Sequence, residues 1–249
     1  MWIGVVALFP ELLHPVIQYG VTGRAVEEGR LQVELFDPRA FTEDRHRTVD
    51  DRPYGGGPGM VMKVDPLHRA LAEARALNPM AQAPRVVALT PQGVPLRQQH
   101  LERWRDQTSL VLVAGRYEGI DERLIDLDVD EECSIGDFVL SGGEIAAAAV
   151  IDGIGRLIPG VLGHGESARQ DSFVDGLLDC PHFTRPEIYA GVRVPPVLLS
   201  GDHQRIARWR RQQALGRTWE RRPDLLSAVN LSTEDQGLLQ AYIDSRSES

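Results

Sequence analysis

The sequence of 249 residues predicts an α/β fold on a mostly parallel sheet, followed by a small helical domain. Three observations carry this expectation. Short apolar runs alternate with helical patterns through the first two thirds of the chain, as successive βαβ units require. Glycine-rich polar segments stand just beyond apolar runs, where the loops at the carboxyl ends of parallel strands lie. After a glycine-rich stretch over 161–178, the pattern becomes helical and rich in arginine.

The first run, Trp2–Leu8, reads as a buried strand. It lacks the basic leader and small-residue cleavage site of a signal peptide, and no run approaches the roughly 20 apolar residues needed to cross a bilayer. Leu31–Phe36, Arg85–Leu89 and Ser109–Val113 supply further strands. A helix is expected over Asp65–Leu77, with Asp65 as N-cap and Pro66 at its first position, and another near Arg97–Asp106. Three segments fit the loops at strand ends: TPQG (Thr90–Gly93), AGRYEG (Ala114–Gly119) and CSIGDFVLSGGE (Cys133–Glu144). Glycines in the last one give a ligand close access to backbone groups, because no Cβ holds it away. Glu144 opens the alanine-rich IAAAAVI, a helix ending near Pro159 whose N-terminal turn faces that loop. In the last part, SGDHQRIARWRRQQAL starts from Ser200 or Asp202 as cap and stops at Gly216, and STEDQGLLQAYI opens on a capping box of Ser232 with Asp235. The expected organisation is a domain over 1–160, a flexible linker over 161–178 and a helical domain over 179–249.

The formal charge of −9 argues at first against a polyanionic partner. The average conceals an asymmetry. From Pro181 to Arg222 there are nine arginines against three acids, whereas Asp121–Asp137 holds eight acids against Arg123. Arginine is the better bidentate phosphate ligand, and Lys63 is the only lysine. A basic face on the C-terminal third is the consequence. Two cysteines, Cys133 and Cys180, with no CxxC pair, disfavour a zinc site or a disulfide scaffold and point to reduced thiols.

YGGGPGM, Tyr54–Met60, lacks the Gly-Lys-Ser/Thr ending of a phosphate loop and follows no predicted strand, which excludes nucleotide hydrolysis of that kind. With Arg45, Arg47 and Arg52 upstream, it offers backbone amides and arginines to a nucleic-acid phosphate, or is a solvated surface loop. DCPH, Asp179–His182, has the look of half a metal site with no second half, so a turn with a packed cysteine is expected. In Arg205–Arg222, arginines on several helix faces interleave with Trp209 and Trp219, a combination suited to phosphate contact and base stacking.

Taken in order, AGRYEG, SIGDFVLSGGE, IPGVLG (Ile158–Gly163), DSFVDGLLDCPHFTRP (Asp171–Pro186), VPPVLLSGDH (Val194–His203) and GRTW (Gly216–Trp219), with YGGGPGM ahead of them, closely resemble the bacterial tRNA (guanine-N1-)-methyltransferases. These modify position 37, the base 3′ of the anticodon. The match spans nearly the whole chain. It implies the SPOUT class, S-adenosyl-L-methionine as cofactor and a deep trefoil knot, which general topology rules would have excluded. On this resemblance the cofactor is surrounded by Leu89, Thr90, Pro91, Gly115, Tyr117, Glu118, Ser134, Ile135, Gly136, Leu140, Gly142 and Gly143. tRNA contact is expected at Tyr54, Gly55 and Gly56 of the YGGGPGM loop and, on the basic face, at Arg185, Arg208, Arg210 and Arg211.

Guanine N1 carries a proton at neutral pH, so its lone pair appears only when that proton leaves. The residue matching the family's general base is Asp171, and its helper is Arg156, which would stabilise charge developing on O6. Aspartate in general ionises near pH 4 and is a weak base unless the substrate's acidity is raised. On the linker, Asp171 would be assembled only when tRNA orders the segment, whose variable part begins at His164 and Gly165. The resemblance also implies a cytoplasmic homodimer with active sites shared between subunits, and an association with magnesium. Glu118 or Asp137 is placed to hold a hydrated ion, and the sequence has no dedicated magnesium motif. Two readings compete: a methyltransferase of the same fold acting on another RNA nucleotide, and a non-catalytic RNA-binding protein retaining the cofactor pocket.

Overall fold

The computed structural model describes residues 1–162 and 171–247. Residues 163–170 of the expected linker, His164 and Gly165 among them, lie outside the described residues. The chain divides into two compact units, Met1–Gly165 and Glu166–Ser249.

In the first unit the elements follow as β1 (Trp2–Val6), α1 (His14–Gln18), α2 (Gly20–Glu27), β2 (Gln32–Phe36), β3 (Asp50–Asp51), β4 (Val61–Met62), α3 (Val64–Leu77), β5 (Arg85–Pro95), α4 (Gln98–Asp106), β6 (Ser109–Ala114), α5 (Glu122–Asp128), β7 (Glu131–Ser134) and α6 (Glu144–Gly155). Five strands form one sheet in the order β2-β1-β6-β5-β7, and every neighbouring pair is parallel. Strand alternation sorts the side chains onto two faces. Ile3, Val5, Leu110 and Leu112 pack with Ala147, Val150 and Ile151 of α6 and Trp104 of α4. Trp2, Val6, Val111 and Val113 pack on the opposite face with Leu67, Ala70 and Leu71 of α3 and Leu124 of α5. The result is a sheet covered by helices on both sides, as a parallel sheet requires.

Several local expectations change. Helix α3 begins at Val64 with Lys63 as N-cap and no side-chain cap bond, so Asp65 lies in the first turn and Pro66 follows it. Proline is tolerated there because first-turn amides have no intrahelical partner. Helix α6 ends at Gly155, capped by Arg156, four residues before Pro159. Strand β5 does not end at Leu89: Leu89 and Val94 both pair with Cys133, so Thr90–Gly93 is an excursion that rejoins the same partner. Gly93 makes the return possible, since a Cβ there would sit 2.2 Å from the Cys133 nitrogen. The acidic Glu131–Ser134 run, not expected as a strand, is β7, and Glu131 is neutralised by Arg85 and by Arg103 at 2.5 Å. Buried Asp128 likewise meets His68 and Arg75, each at 2.6 Å. Burial raises its pKa, but these two partners outweigh burial and hold the carboxyl below the usual range.

In the second unit, β8 (Ile188–Tyr189) and β9 (Val192–Arg193) form a hairpin, followed by α7 (His203–Arg221), α8 (Pro223–Leu226) and α9 (Thr233–Ser247). Residues 171–178 fold into hydrogen-bonded turns, and Leu177 joins Leu215 and Leu238 in a buried cluster. Asp202 caps α7, accepting from the amides of Gln204 and Arg205. Ser232 accepts from the Asp235 amide at 3.0 Å. Helix α7 does not stop at Gly216, because that glycine is a packing residue: a Cβ there would meet the Tyr242 ring of α9 at 2.4 Å. Tyr242 is itself buried. Gly216→Ala is therefore expected to destabilise the unit by about 1–3 kcal/mol, as overpacking does, read as a lowered midpoint in urea unfolding.

Candidate active site

Each loop beyond a sheet strand is fixed by a specific close approach. After β6, Gly115 accepts from the Gly143 amide at 2.8 Å, and Tyr117 adopts a left-handed backbone, φ 61°, unusual for a bulky residue. After β7, Gly136 has φ 148° and its amide donates to Ser134 Oγ at 3.2 Å. A Cβ on Gly143 would lie 2.8 Å from Ala114 Cα, so only glycine lets the third loop lie directly on the second.

Together with the Thr90–Gly93 excursion these loops enclose a cavity of about 370 Å³. All twelve residues marked by the family resemblance, from Leu89 to Gly143, line it. So do Ser141, which lies in the glycine-rich loop expected to face a ligand, and residues not singled out from the sequence, among them Gln92, Arg116, Glu132 and Phe138. Arg116 is the most consequential omission. Its Nε donates to both oxygens of Glu144, at 2.9 and 3.0 Å, and its guanidinium lies 4.4 Å from the centre of the Phe9 ring. The Glu144 side chain has 0% exposure and also accepts from the Phe9 amide at 3.2 Å. This pair ties the loop after β6, the first turn of α6 and the segment after β1 into one wall. Two opposite charges inside otherwise apolar or glycine-rich runs were the signal available in the sequence.

Cys133 also lines the cavity, and burial, followed by nearby Glu131, pushes its thiol up to about 11. It is a neutral wall group with no nucleophilic thiolate. Gly59 of the Tyr54–Met60 loop comes so close to Glu118 that a Cβ would lie 2.2 Å from its Oε1, and the Glu118 amide donates to Met60 at 2.9 Å. The loop is thus attached to the cavity wall, a contact invisible in the sequence. Tyr54 at its tip is 99% exposed, and Gly55 and Gly56 take left-handed backbones.

Arg156 does not line the cavity. It caps the C-terminal end of α6, whose opposite end, at Glu144, meets the cavity. Twelve helical residues separate the two ends, about 18 Å at 1.5 Å per residue. Asp171 belongs to the second unit, where its carbonyl accepts from the Val174 amide.

In that unit Arg185, Arg208 and Arg210 are exposed, whereas Arg211 is held by Asp235 at 2.8 and 2.9 Å and braces α7 against α9. Arg211 is thereby a packing residue as well as a cation. Trp209 is half-buried and Trp219 exposed. Among the described residues one group of three potential metal ligands occurs, Asp179, Cys180 and His182, with ligand atoms within 4.8 Å of one another. Asp179 pairs with His182 at 2.7 Å and accepts from the Cys180 amide, and Cys180 is buried, the packed turn that the sequence reading expected. Glu118 and Asp137 belong to no such group. No helix among the described residues is long and apolar enough to cross a membrane.

Comparison with known proteins agrees with this architecture. The chain is 58% identical over 249 residues to the tRNA (guanine-N(1)-)-methyltransferase of Pseudomonas aeruginosa, covering 100% of this chain and 98% of that protein. It is 61% identical over 244 residues to the protein of the same name from Alcanivorax borkumensis, covering 96% and 91%. It is 58% identical over 246 residues to that of Stutzerimonas stutzeri, covering 98% and 97%. The family model described as tRNA (Guanine-1)-methyltransferase TrmD matches residues 1–228, and with nearly the whole chain covered at this identity, the protein belongs to that methyltransferase family.

Proposed function

We propose that the chain transfers a methyl group from S-adenosyl-L-methionine to N1 of guanine 37 in tRNA. The observation that carries this reading is the one cavity in which all twelve family-marked residues meet, in a chain whose relatives bear that enzyme's name. A volume of about 370 Å³ falls within the range of small-ligand sites. Its walls suit the donor: glycines expose backbone donors and acceptors for adenine and ribose, while Tyr117, Phe138 and Leu140 offer apolar area. When bound, the donor supplies an electrophilic methyl on a sulfonium sulfur.

The chain's own residues must then generate the nucleophile. Asp171 takes the proton from guanine N1, leaving an in-plane lone pair there to accept the methyl, and the negative charge of the resulting anion is shared with O6, where Arg156 stabilises it. Since Arg156 stands at the far end of α6 from the cavity of its own chain, we assign Arg156 and Asp171 to the cavity of a second copy, in a homodimer with shared active sites. The three loops correspond to the deep trefoil knot of the SPOUT class, a reading supported by the contact of Gly143 with Ala114 and Gly115. Residues 1–160 are then the catalytic domain, 161–178 the linker that presents Asp171, and 179–249 the tRNA-binding domain, all acting in the cytoplasm where tRNA is found. A hydrated magnesium ion needs only one or two carboxylates, for which Glu118 and Asp137 are the candidates, and no step depends on it.

Incubating tRNA with enzyme and methyl-labelled donor, then identifying the nucleoside by mass spectrometry, tests the reading. 1-Methylguanosine is expected. A 2′-O-methyl nucleoside would favour the alternative reaction of the same fold, and no incorporation would favour a binding protein. Replacing exposed Arg208 and Arg210 by alanine should weaken tRNA binding and lower the slope of log K against log salt by about two, leaving donor binding unchanged. Filter binding across a salt series measures this. An unchanged slope would refute the basic face.

A further inference from the structure

A second cavity, of about 720 Å³, lies within the second unit. Two of its lining residues are cations, Arg185 and Arg210, both exposed and neither in an ion pair among the described residues. Phe183, Leu198 and Ile206, among others, give it apolar lining as well. Phe183 is 46% exposed, and its ring meets Trp209 in a tilted contact at 6.3 Å between centroids, so it is held by a neighbour while much of it stays accessible. The lining acid Glu187 is countered by Arg193 at 3.5 Å, and His182 is tied to Asp179. The charge left facing the cavity is that of the two arginines.

An aromatic platform beside two uncompensated guanidinium groups matches the chemistry of an unstacked nucleotide, whose base has a π-face and whose phosphate is anionic. Base-paired RNA would satisfy the arginines but not the ring, because its bases are stacked inside the duplex. We infer that this cavity holds one unpaired nucleotide of the RNA substrate, its base on Phe183 and its phosphate on Arg185 and Arg210. The inference rests on the proposed tRNA substrate and adds to it a contact with an unpaired nucleotide besides the methylated guanine.

Two substitutions in the full-length protein separate the two interactions. Phe183→Ala should weaken binding of a tRNA transcript about tenfold, with its salt dependence unchanged, and Phe183→Tyr should restore it. Arg185→Ala should lower the salt slope by about one. Both should bind S-adenosyl-L-methionine as the wild type does. Wild-type tRNA affinity in Phe183→Ala overturns the proposal, as does a fall in salt slope equal to that of Arg185→Ala, or a change in oligomeric state with tRNA affinity intact. A wild-type enzyme that binds tRNA yet methylates no guanine would defeat the proposed function and leave this cavity standing. One that methylates normally while Phe183→Ala binds undiminished defeats the cavity alone.

Discussion

Asp171→Ala is expected to lower the rate of methyl transfer to tRNA by at least about 10²-fold, the smaller end of what a positioned general base contributes. The physical reason is specific to guanine: until N1 loses its proton it has no lone pair in the ring plane to accept a methyl group. Donor affinity should be nearly unchanged, because Asp171 lies outside the unit that forms the cavity. Asp171→Asn, which keeps the shape and most hydrogen bonding, should fail equally, and Asp171→Glu should retain part of the activity. Arg156→Ala should lower turnover more than it weakens tRNA binding, since O6 gains charge only as the proton leaves. Single-turnover rates with saturating tRNA measure both. Wild-type rates in Asp171→Asn would remove the base assignment.

Arg116→Ala is the second large effect. It strips the partner from a carboxylate with no solvent exposure, leaving Glu144 with the Phe9 amide, at 3.2 Å, as its remaining donor among the described residues. Breaking one side of a buried pair costs about 3–5 kcal/mol, because the remaining charge stays desolvated. Thermal unfolding should show a large drop, and donor affinity should fall with it, since the pair holds two cavity walls together. Replacing both partners by apolar residues, as in Arg116→Met with Glu144→Leu, should recover much of the stability, because no lone charge is left. Donor affinity should stay low, because the Arg116 bonds that fix the loop after β6 to α6 are gone. Equal stability of Arg116→Ala and wild type would show that the pair is not what fixes the wall.

The sheet was legible where apolar residues recur along the strand: Trp2–Val6, Gln32–Phe36 and Ser109–Ala114 stand within two residues of their expected bounds. It was illegible at β7, because Glu131 looks solvated until Arg85 and Arg103 are brought beside it by folding. The same holds for Gly216, whose role as a packing residue is set by Tyr242, 26 positions later. TPQG reads as a terminator from its turn residues, yet Gly93 lets the backbone pass close enough to Cys133 to re-enter the sheet. Glycine spacing alone pointed to the loops around Gly115, Gly136 and Gly142. The individual residues came from resemblance to a family, because no local rule distinguishes Asp171 from Asp175. The Arg116–Glu144 pair and the attachment of Gly59 to Glu118 depend on contacts between distant segments, which no local pattern encodes.

In the proposed homodimer, a complete active site takes its cavity from one copy and Asp171 from the other. Mixing two inactive proteins tests it most directly: Asp171→Ala, and Gly142→Val, whose Cβ would sit 2.4 Å from Arg116 Nε and 2.5 Å from Glu144 Oε2 in the cavity wall. Each should be inactive alone. After subunit exchange, half of the dimers are mixed and each mixed dimer contains one intact composite site, so the methylation rate should recover to about a quarter of wild type. If every site were built within a single chain, no mixed dimer would contain an intact one, and the mixture would stay as inactive as its components.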